Sequence, residues 1–573
     1  MGVAPAIFQT AGQRSEHYVP GAYSRSAAVG GEGSGVSANN AVVLGRSRGG
    51  QPNRLLVFST LQEARETLLD GDLLKAVAHA FNPSAEYSPQ AIRAMIVNGN
   101  TQAETVLYAA DTEVLSLKTA SWGVVANSIT RQLLDGTNPG TKKVIFTSPD
   151  SKETIDNIGK KSIQLQYTGT SPTAVLKIDK IGITVQLDTE SLEFSFEEFS
   201  TIDELVARLN SSGEFAVIQL EEEANVASYE LDHVENVNII AAPVNLTSNF
   251  YALIRALENS PWIGQGNVEK ADGAGNILPD NDPEAVFFEG ANAGTFTIND
   301  WNKTLAVLET ENIQMITTHA TDLAVHTLIS NHCTAMSNVQ NRKERTALLG
   351  GPIGQTIDQA IEIARGFNNK LVSYCYPAIL AISPLTGAAE ELPASYFACK
   401  LLGMESTIAV NEPLTWKNVS VLRFLVRIRV SEMEKLIIGG VLCGGTTDDN
   451  RLAVIRAMTT HQGAQLQLVE RSMVREDLYM NRDIRNEYSR GVGRPGISKG
   501  SDYEQTLQDA ARRWKGEGLI IPRDDGKNIW DVRVRKSGDK VWISFSRNLT
   551  APQNFFFITA FNYIYESATT VEI

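Results

Sequence analysis

Few groupings in this 573-residue sequence have the residue types and spacing to do chemistry. Leu349-Gly350-Gly351-Pro352-Ile353-Gly354-Gln355-Thr356 follows an apolar run and precedes a helical pattern, where a phosphate loop would sit. It lacks the lysine before the threonine that reaches the outer phosphates, and Pro352 removes an N–H from the cradle. A tight strand-to-helix turn is the better reading. Gly439-Gly440-Val441-Leu442-Cys443-Gly444-Gly445 has neither GxGxxG spacing nor a following acidic ribose partner, and reads as close backbone packing or a bend. His319, His326, His332 and Cys333 form a metal-like cluster. Zinc ligands on one helix usually fall three or four residues apart, and His326 and Cys333 are two turns apart. Adjacent acids at Glu390-Glu391, Glu221–Glu223 and Asp448-Asp449 lack a defined partner and read as solvated turns or strand ends. The expectation is therefore no catalytic residue, no cofactor and no metal. The reading of another class is an α/β nucleotide-binding or hydrolytic enzyme, which would have to work at the Gly350–Thr356 turn.

Composition narrows the field in the same direction. Hydrophobic residues are 43% and charged residues 20%, ordinary for a globular chain that buries large cores. The length implies several domains. A formal net charge of -15 argues against a duplex DNA partner, which calls for a basic face. It also means that copies packed together repel at long range and must associate through short-range, salt-sensitive contacts. Four cysteines, Cys333, Cys375, Cys399 and Cys443, lie in apolar stretches without a CxxC pair, as in a reduced, cytoplasmic folding compartment. No basic-then-apolar leader is read at the N-terminus, and no apolar run approaches a membrane span.

The elements that would position any site fall into blocks. Residues 1–40 are rich in Gly, Ala and Ser and read as an N-terminal arm, with one short extended candidate at His17–Ser24. Residues 41–110 alternate strand and helix. Residues 111–234 carry period-two segments such as Ser162–Tyr167, Ala174–Ile178 and Ile183–Leu187, an inserted β-rich domain. The α/β pattern resumes over 235–400, beginning with a strand at Val237–Ala241 and a helix at Ser248–Glu258. Residues 401–550 read as an α+β C-terminal domain, and 551–573 as a C-terminal arm strand. The fold class expected is α/β and α+β multidomain: a doubly wound α/β core, an inserted mostly-β domain, and a C-terminal domain carrying exchanged terminal strands.

Interaction chemistry stands out more than catalysis. Asp502–Lys515 is an amphipathic helix with Tyr503, Leu507, Ala510, Ala511 and Trp514 at helical spacing. Trp530, Val532 and Val534 alternate with charge, as do Val541, Ile543 and Phe545, and Ser537-Gly538-Asp539 between them predicts a hairpin. Phe555–Tyr565 reads FFFITAFNYIY, strongly β-prone and without charge. Such a segment is an aggregation hazard unless it pairs, either inside its own fold or with another chain.

Several short segments, in order, resemble the contractile-tail sheath protein family of bacteriophages. Tyr18-Val19-Pro20-Gly21-Ala22-Tyr23-Ser24 is similar to the family's "PGVY" opening, and Ser121-Trp122-Gly123 with Asn127-Ser128 to its "WGN" step. Phe288-Glu289-Gly290 with Gly294 and Asp300-Trp301 resembles the "GG-DG" loop. Leu392-Pro393-Ala394-Ser395-Tyr396-Phe397-Ala398 resembles the "PAS-Y-A" helix, and Leu422-Arg423-Phe424 with Val426-Arg427-Ile428 the segment that opens the C-terminal domain.

The resemblance implies a structural subunit of a virion tail, assembled in the host cytoplasm. Copies would form six-fold rings stacked helically around an inner tail tube and contract to drive the tube through a host envelope. Partners would be the chain itself, the tail tube protein, and baseplate and tail terminator proteins, with no nucleic acid bound directly and no membrane insertion. Tyr18, Val19, Ala22, Tyr23, Phe555, Phe557, Ile558, Phe561 and Tyr563 would lie in strands exchanged between subunits. Trp530, Val532, Val534, Val541, Ile543 and Phe545 would form the receiving hairpin. Lys499, Arg512, Arg513 and Lys515 would face the tube. A phage-derived bacteriocin or an extracellular contractile injection particle would share this chemistry.

Overall fold

The structure is a computed structural model, and it describes residues 6–10, 13–17, 39–149, 151–220, 226–493 and 499–562. Its centre is an eight-stranded sheet. From one edge the strands run Leu452–Arg456, Val441–Thr446, Val372–Tyr376, Thr346–Gly350, Met315–Thr318, Ala41–Gly45, Ile92–Ile96 and Leu55–Phe58. Six central strands are parallel, and each edge strand is antiparallel to its neighbour.

The central strands are buried on both faces, which is why they read as near-continuous apolar runs. Alternate residues point to opposite sides. Val43, Ala94, Leu348, Cys375 and Leu442 pack under the helices Leu61–Leu68, Asp72–Phe81 and Ala394–Glu405. Val42, Leu44, Ile316, Leu349 and Val441 pack under Ile298–Leu308, Leu323–Met336, Ile357–Phe367 and Val430–Ile438. Capping sequences start these helices where the chain turns: Thr356 accepts from the Gln359 amide, and Gln359 accepts from the Thr356 amide. The four cysteines all sit in these two layers as buried thiols.

Between Ile96 and Ile298 the chain leaves the sheet. Strands Gln102–Ala109, Thr112–Trp122, Thr130–Asp135, Lys142–Thr147 and Lys152–Ile158, with the helix Asn249–Asn259, enclose a core around Phe146, Phe250 and Phe288. Within that unit is nested another. Residues 161–247 form two antiparallel sheets and the helix Ile202–Ser211 around their own core of Leu165, Val185, Phe194 and Leu205.

Two expectations are corrected here. Val237 lies in the strand Val234–Asn238, which pairs antiparallel with Ala174–Ile178 in the nested unit, and the helix at 249–259 packs on the surrounding β layer. The α/β layers resume only at Ile298. A short apolar run followed by a helix looks alike in either setting, because local pattern does not say which sheet a strand joins. Likewise, Val441–Thr446 and Leu452–Arg456 lie beyond residue 400 yet complete the central sheet.

After the sheet the chain builds a smaller cluster. The helices Arg471–Ser489 and Gly500–Gly516 pack around Met480, Leu507, Ala510, Ala511 and Trp514, and the hairpin Trp530–Ser537 with Lys540–Ser546 lies against them.

Candidate assembly surface

The hairpin has the predicted turn. Ser537 pairs with Lys540 across Gly538-Asp539, and Gly538 has φ +60°. Val532, Ile543 and Phe545 pack against the Trp514 cluster, whereas Val541 is exposed. On the other face Arg535 lies over the exposed Trp542 ring, 5.2 Å from its centroid. Among the described residues no third strand joins this sheet, and a sheet edge without a neighbouring strand is a place where another strand can add.

Residues 551–562 carry no strand in this chain. The β-prone segment therefore differs from the expectation: Phe555, Phe557, Ile558 and Phe561 are 66%, 94%, 90% and 78% exposed. Its propensity is satisfied only if an edge is offered, and among the described residues no strand pairs with it. Tyr18, Val19, Ala22, Tyr23 and Tyr563 lie outside the described residues. Further toward the N-terminus, Ala6–Thr10 pairs antiparallel with Gln13–His17.

The arm leaves from a firmly held root. Arg547 donates to Asp477 (2.8 Å) and Asn481 (3.1 Å), and its guanidinium lies 5.2 Å from the Trp514 ring centroid. The Thr550 amide donates to Glu476 (3.0 Å), and the Asn554 side chain donates to Glu470 (3.3 Å). Burial pushes the Glu476 carboxyl up to about 8, against the Thr550 amide and Arg547. Burial likewise pushes Glu470 up to about 7, against Arg456. Neither acid was singled out in the sequence, where Glu470 precedes and Glu476 lies within a helix of mixed charge.

The helix Gly500–Gly516 buries the predicted apolar face and exposes Arg512 and Lys515. Arg513 is corrected. It turns inward and donates to Asp483 (3.2 Å) and Glu487 (3.0 Å) on the neighbouring helix, because those carboxylates line the groove between the two. Lys499 is exposed and caps the helix through its amide, which donates to Asp502.

A buried charge network ties this region to the central sheet. Arg471 donates to both oxygens of Glu405 (2.7 and 2.8 Å), to Ser373 and the Ala347 carbonyl (each 3.1 Å), and to Thr346 (3.2 Å). Arg475 donates to the Glu405 carbonyl (3.2 Å). Burial alone would raise the Glu405 carboxyl, but Arg471 and Arg475 overcome it and hold it below the ordinary range.

The weak chemical candidates resolve into packing. A Cβ on Gly350 would meet the Ala394 backbone at 2.2 Å, and one on Gly351 would meet the Gln355 side chain at 2.0 Å, so that turn is filled by protein. A Cβ on Gly444 would strike the Phe424 ring at 2.6 Å. His326 is 2.8 Å from the Ala320 carbonyl, and His332 accepts from Arg345 at 2.6 Å. Burial pushes the Cys333 thiol up to about 12. Glu390 pairs with Lys75, Glu391 with Arg423 and Asp449 with Arg451. Glu221–Glu223 lie outside the described residues.

No family model matches the chain. Curated sequences do. The tail sheath protein of Bacillus phage SP01 is 26% identical over 547 residues, covering 91% of each chain. That of Staphylococcus phage Twort is 21% identical over 454 residues, 72% of this chain and 74% of its own. Among solved structures, a sheath tail protein of Listeria innocua shares the fold with a TM-score of 0.54 at 10% identity, covering 90% of this chain and 96% of its own. One from Desulfitobacterium hafniense has a TM-score of 0.50 at 12% identity, covering 92% and 100%. The mixed α/β multidomain architecture is thus that of sheath tail proteins, and by sequence the chain is similar to phage tail sheath proteins, to one of them over nine-tenths of its length.

Proposed function

We propose that this chain is the sheath subunit of a contractile phage tail, with a mechanical rather than catalytic role. The observation that carries the reading is a hairpin that no third strand joins among the described residues, beside an exposed, aromatic, charge-free stretch at 551–562, in a chain similar over 91% of its length to a phage tail sheath protein. An unpaired strand and an unpaired edge on one subunit are the two halves of a β-augmentation contact. Between copies, the arms add to the hairpin of a neighbour and link subunits into stacked six-fold rings around an inner tube. The doubly wound core stays rigid while the linked arms let rings twist and slide. Arg512, Lys515 and Lys499 are exposed cations suited to a weak, salt-screened tube contact that releases on contraction. The β-rich insert faces outward and adds little to the mesh.

Negative-stain electron microscopy of the purified chain, with and without residues 1–24 or 551–573, tests this. Hollow striated tubes are expected from the full chain alone. Compact particles from every version, or tubes from either truncation, would overturn strand exchange as the link.

A further inference from the structure

The roots of the two arms meet on one helix. On the N-terminal side the Asn39 side chain accepts from Arg475 (3.1 Å) and donates to the Ile408 carbonyl (3.0 Å). On the C-terminal side the Thr550 amide donates to Glu476, Arg547 to Asp477 and Asn481, and the Asn554 side chain to Glu470. Both sides are thus held by residues 470–481, on or just before the helix Arg471–Ser489. At 3.6 residues per turn, Arg475 and Glu476 point about 100° apart, so the two roots grip adjoining faces of the same turn.

A second path joins the roots without the helix. The Asn411 side chain, three residues after Ile408, donates to the Gly518 carbonyl (2.9 Å), and the Thr550 hydroxyl donates to the same carbonyl (2.6 Å). Asn39 and Thr550 are therefore linked by two short chains of contacts, one through the helix and one through residues 408–411. The turn they grip is able to yield. Ser472 Oγ, Arg475 Nη1 and Glu476 Oε2 are buried with no hydrogen-bond partner among the described residues. Such groups lower the cost of local opening, since water satisfies them once the turn opens.

We propose that the first turns of Arg471–Ser489 form a single joint for both arms, so that drawing out either arm loosens the hold on the other. An element with closed and open arrangements, biased from two sites, couples those sites, and the coupling is reciprocal. In a sheath, a subunit whose C-terminal arm is taken by a neighbour then releases its N-terminal arm more readily, which sets an order on the links. That consequence rests on the strand-exchange reading above; the joint does not.

The test is residue-resolved hydrogen exchange in dilute monomer. Asn39→Ala removes both bonds of the Asn39 side chain and is expected to speed exchange of the Thr550 amide at least about fivefold, the low end of ordinary coupling. Arg547→Met weakens the C-terminal root and is expected to speed exchange of the Asn40 amide, which donates to Gln314 (3.0 Å), by a similar factor. Thr550→Val, which removes only the hydroxyl bond to Gly518, takes its place should Arg547→Met fail to fold. The strand Lys161–Tyr167 of the nested unit is the reference. Effects confined to the altered side, or a rise of equal size in the reference strand, overturn the proposal. Both readouts precede assembly, so coupled roots in a chain whose tubes survive loss of either arm would sink strand exchange alone.

Discussion

Replacing Arg471 by methionine removes five hydrogen bonds at once and leaves the Glu405 carboxylate buried with Arg475 alone, whose nearer nitrogen is 3.7 Å from it. Taking one partner from a buried pair costs about 3–5 kcal/mol, because the remaining charge is uncompensated. At about 1.4 kcal/mol per decade, local opening of the helix Arg471–Ser489 becomes roughly 10² to 10⁴ times more frequent. Hydrogen exchange of its backbone amides reads this directly. The pH response supplies a second signature. In the unaltered chain Glu405 is held below its ordinary range, so its contribution is present above the unfolded value and lost as pH falls through the folded one. With Arg471 gone, burial dominates and the carboxyl rises above the unfolded value, so the variant gains stability as pH falls toward 5. Pairing Arg471→Met with Glu405→Leu is expected to recover most of the loss. A loss of protection under tenfold in the single variant, or the same pH slope in both proteins, would refute the reasoning.

Glu476 has the opposite sense from Glu405. Burial raises its folded value to about 8, so its contribution is full below the unfolded carboxyl range near 4.5 and declines as pH rises toward 8. Proteolysis near Thr550 is expected to accelerate over that window, and Glu476→Gln to flatten the dependence; an unchanged slope refutes it. Gly403 packs where helices Ala394–Glu405 and Asp72–Phe81 cross, and an added Cβ would lie 1.9 Å from the Ala80 carbonyl oxygen. Gly403→Ala is expected to cost about 1–3 kcal/mol by overpacking, read as a lower melting temperature. Val541→Lys sits on the exposed end of the hairpin and is expected to change stability by less than about 0.5 kcal/mol while reducing tube formation; unaffected tubes would remove that strand from the contact.

What was legible in the sequence was local and periodic. The face of Leu507, Ala510, Ala511 and Trp514 and the turn at Gly538-Asp539 follow from spacing alone, since neighbours in sequence decide them. Which sheet a strand joins is decided by distant residues, so Val237 and Val441 were assigned to the wrong neighbours. The Glu405–Arg471 pair was invisible for the same reason: Glu405 ends an ordinary helix, and its partner is 66 residues away. Arg513 shows the limit of reading exposure from charge, for a cation on a polar face can still turn toward carboxylates on an adjacent helix. The exposed run at Phe555 was legible as a problem, because no charge interrupts it. Among the described residues no strand pairs with it.

The interrupted central sheet has a consequence for synthesis. Asn40, at the head of the strand Ala41–Gly45, bonds to Gln314, 274 residues later. At about 5–20 residues per second, that partner emerges from the ribosome roughly 15–55 s after the first strand does. During that interval the leading strands are an apolar ribbon with an open edge, and the β units that follow them can complete their own cores first. Those units stand as a finished plug between the two halves of an unfinished sheet, bringing residues near 97 and 298 together. The entropy of closing a two-hundred-residue loop is thereby spent before the halves meet. Slow codons within the insert lengthen that interval, whereas chaperone capture along residues 41–96 covers the ribbon while it lasts.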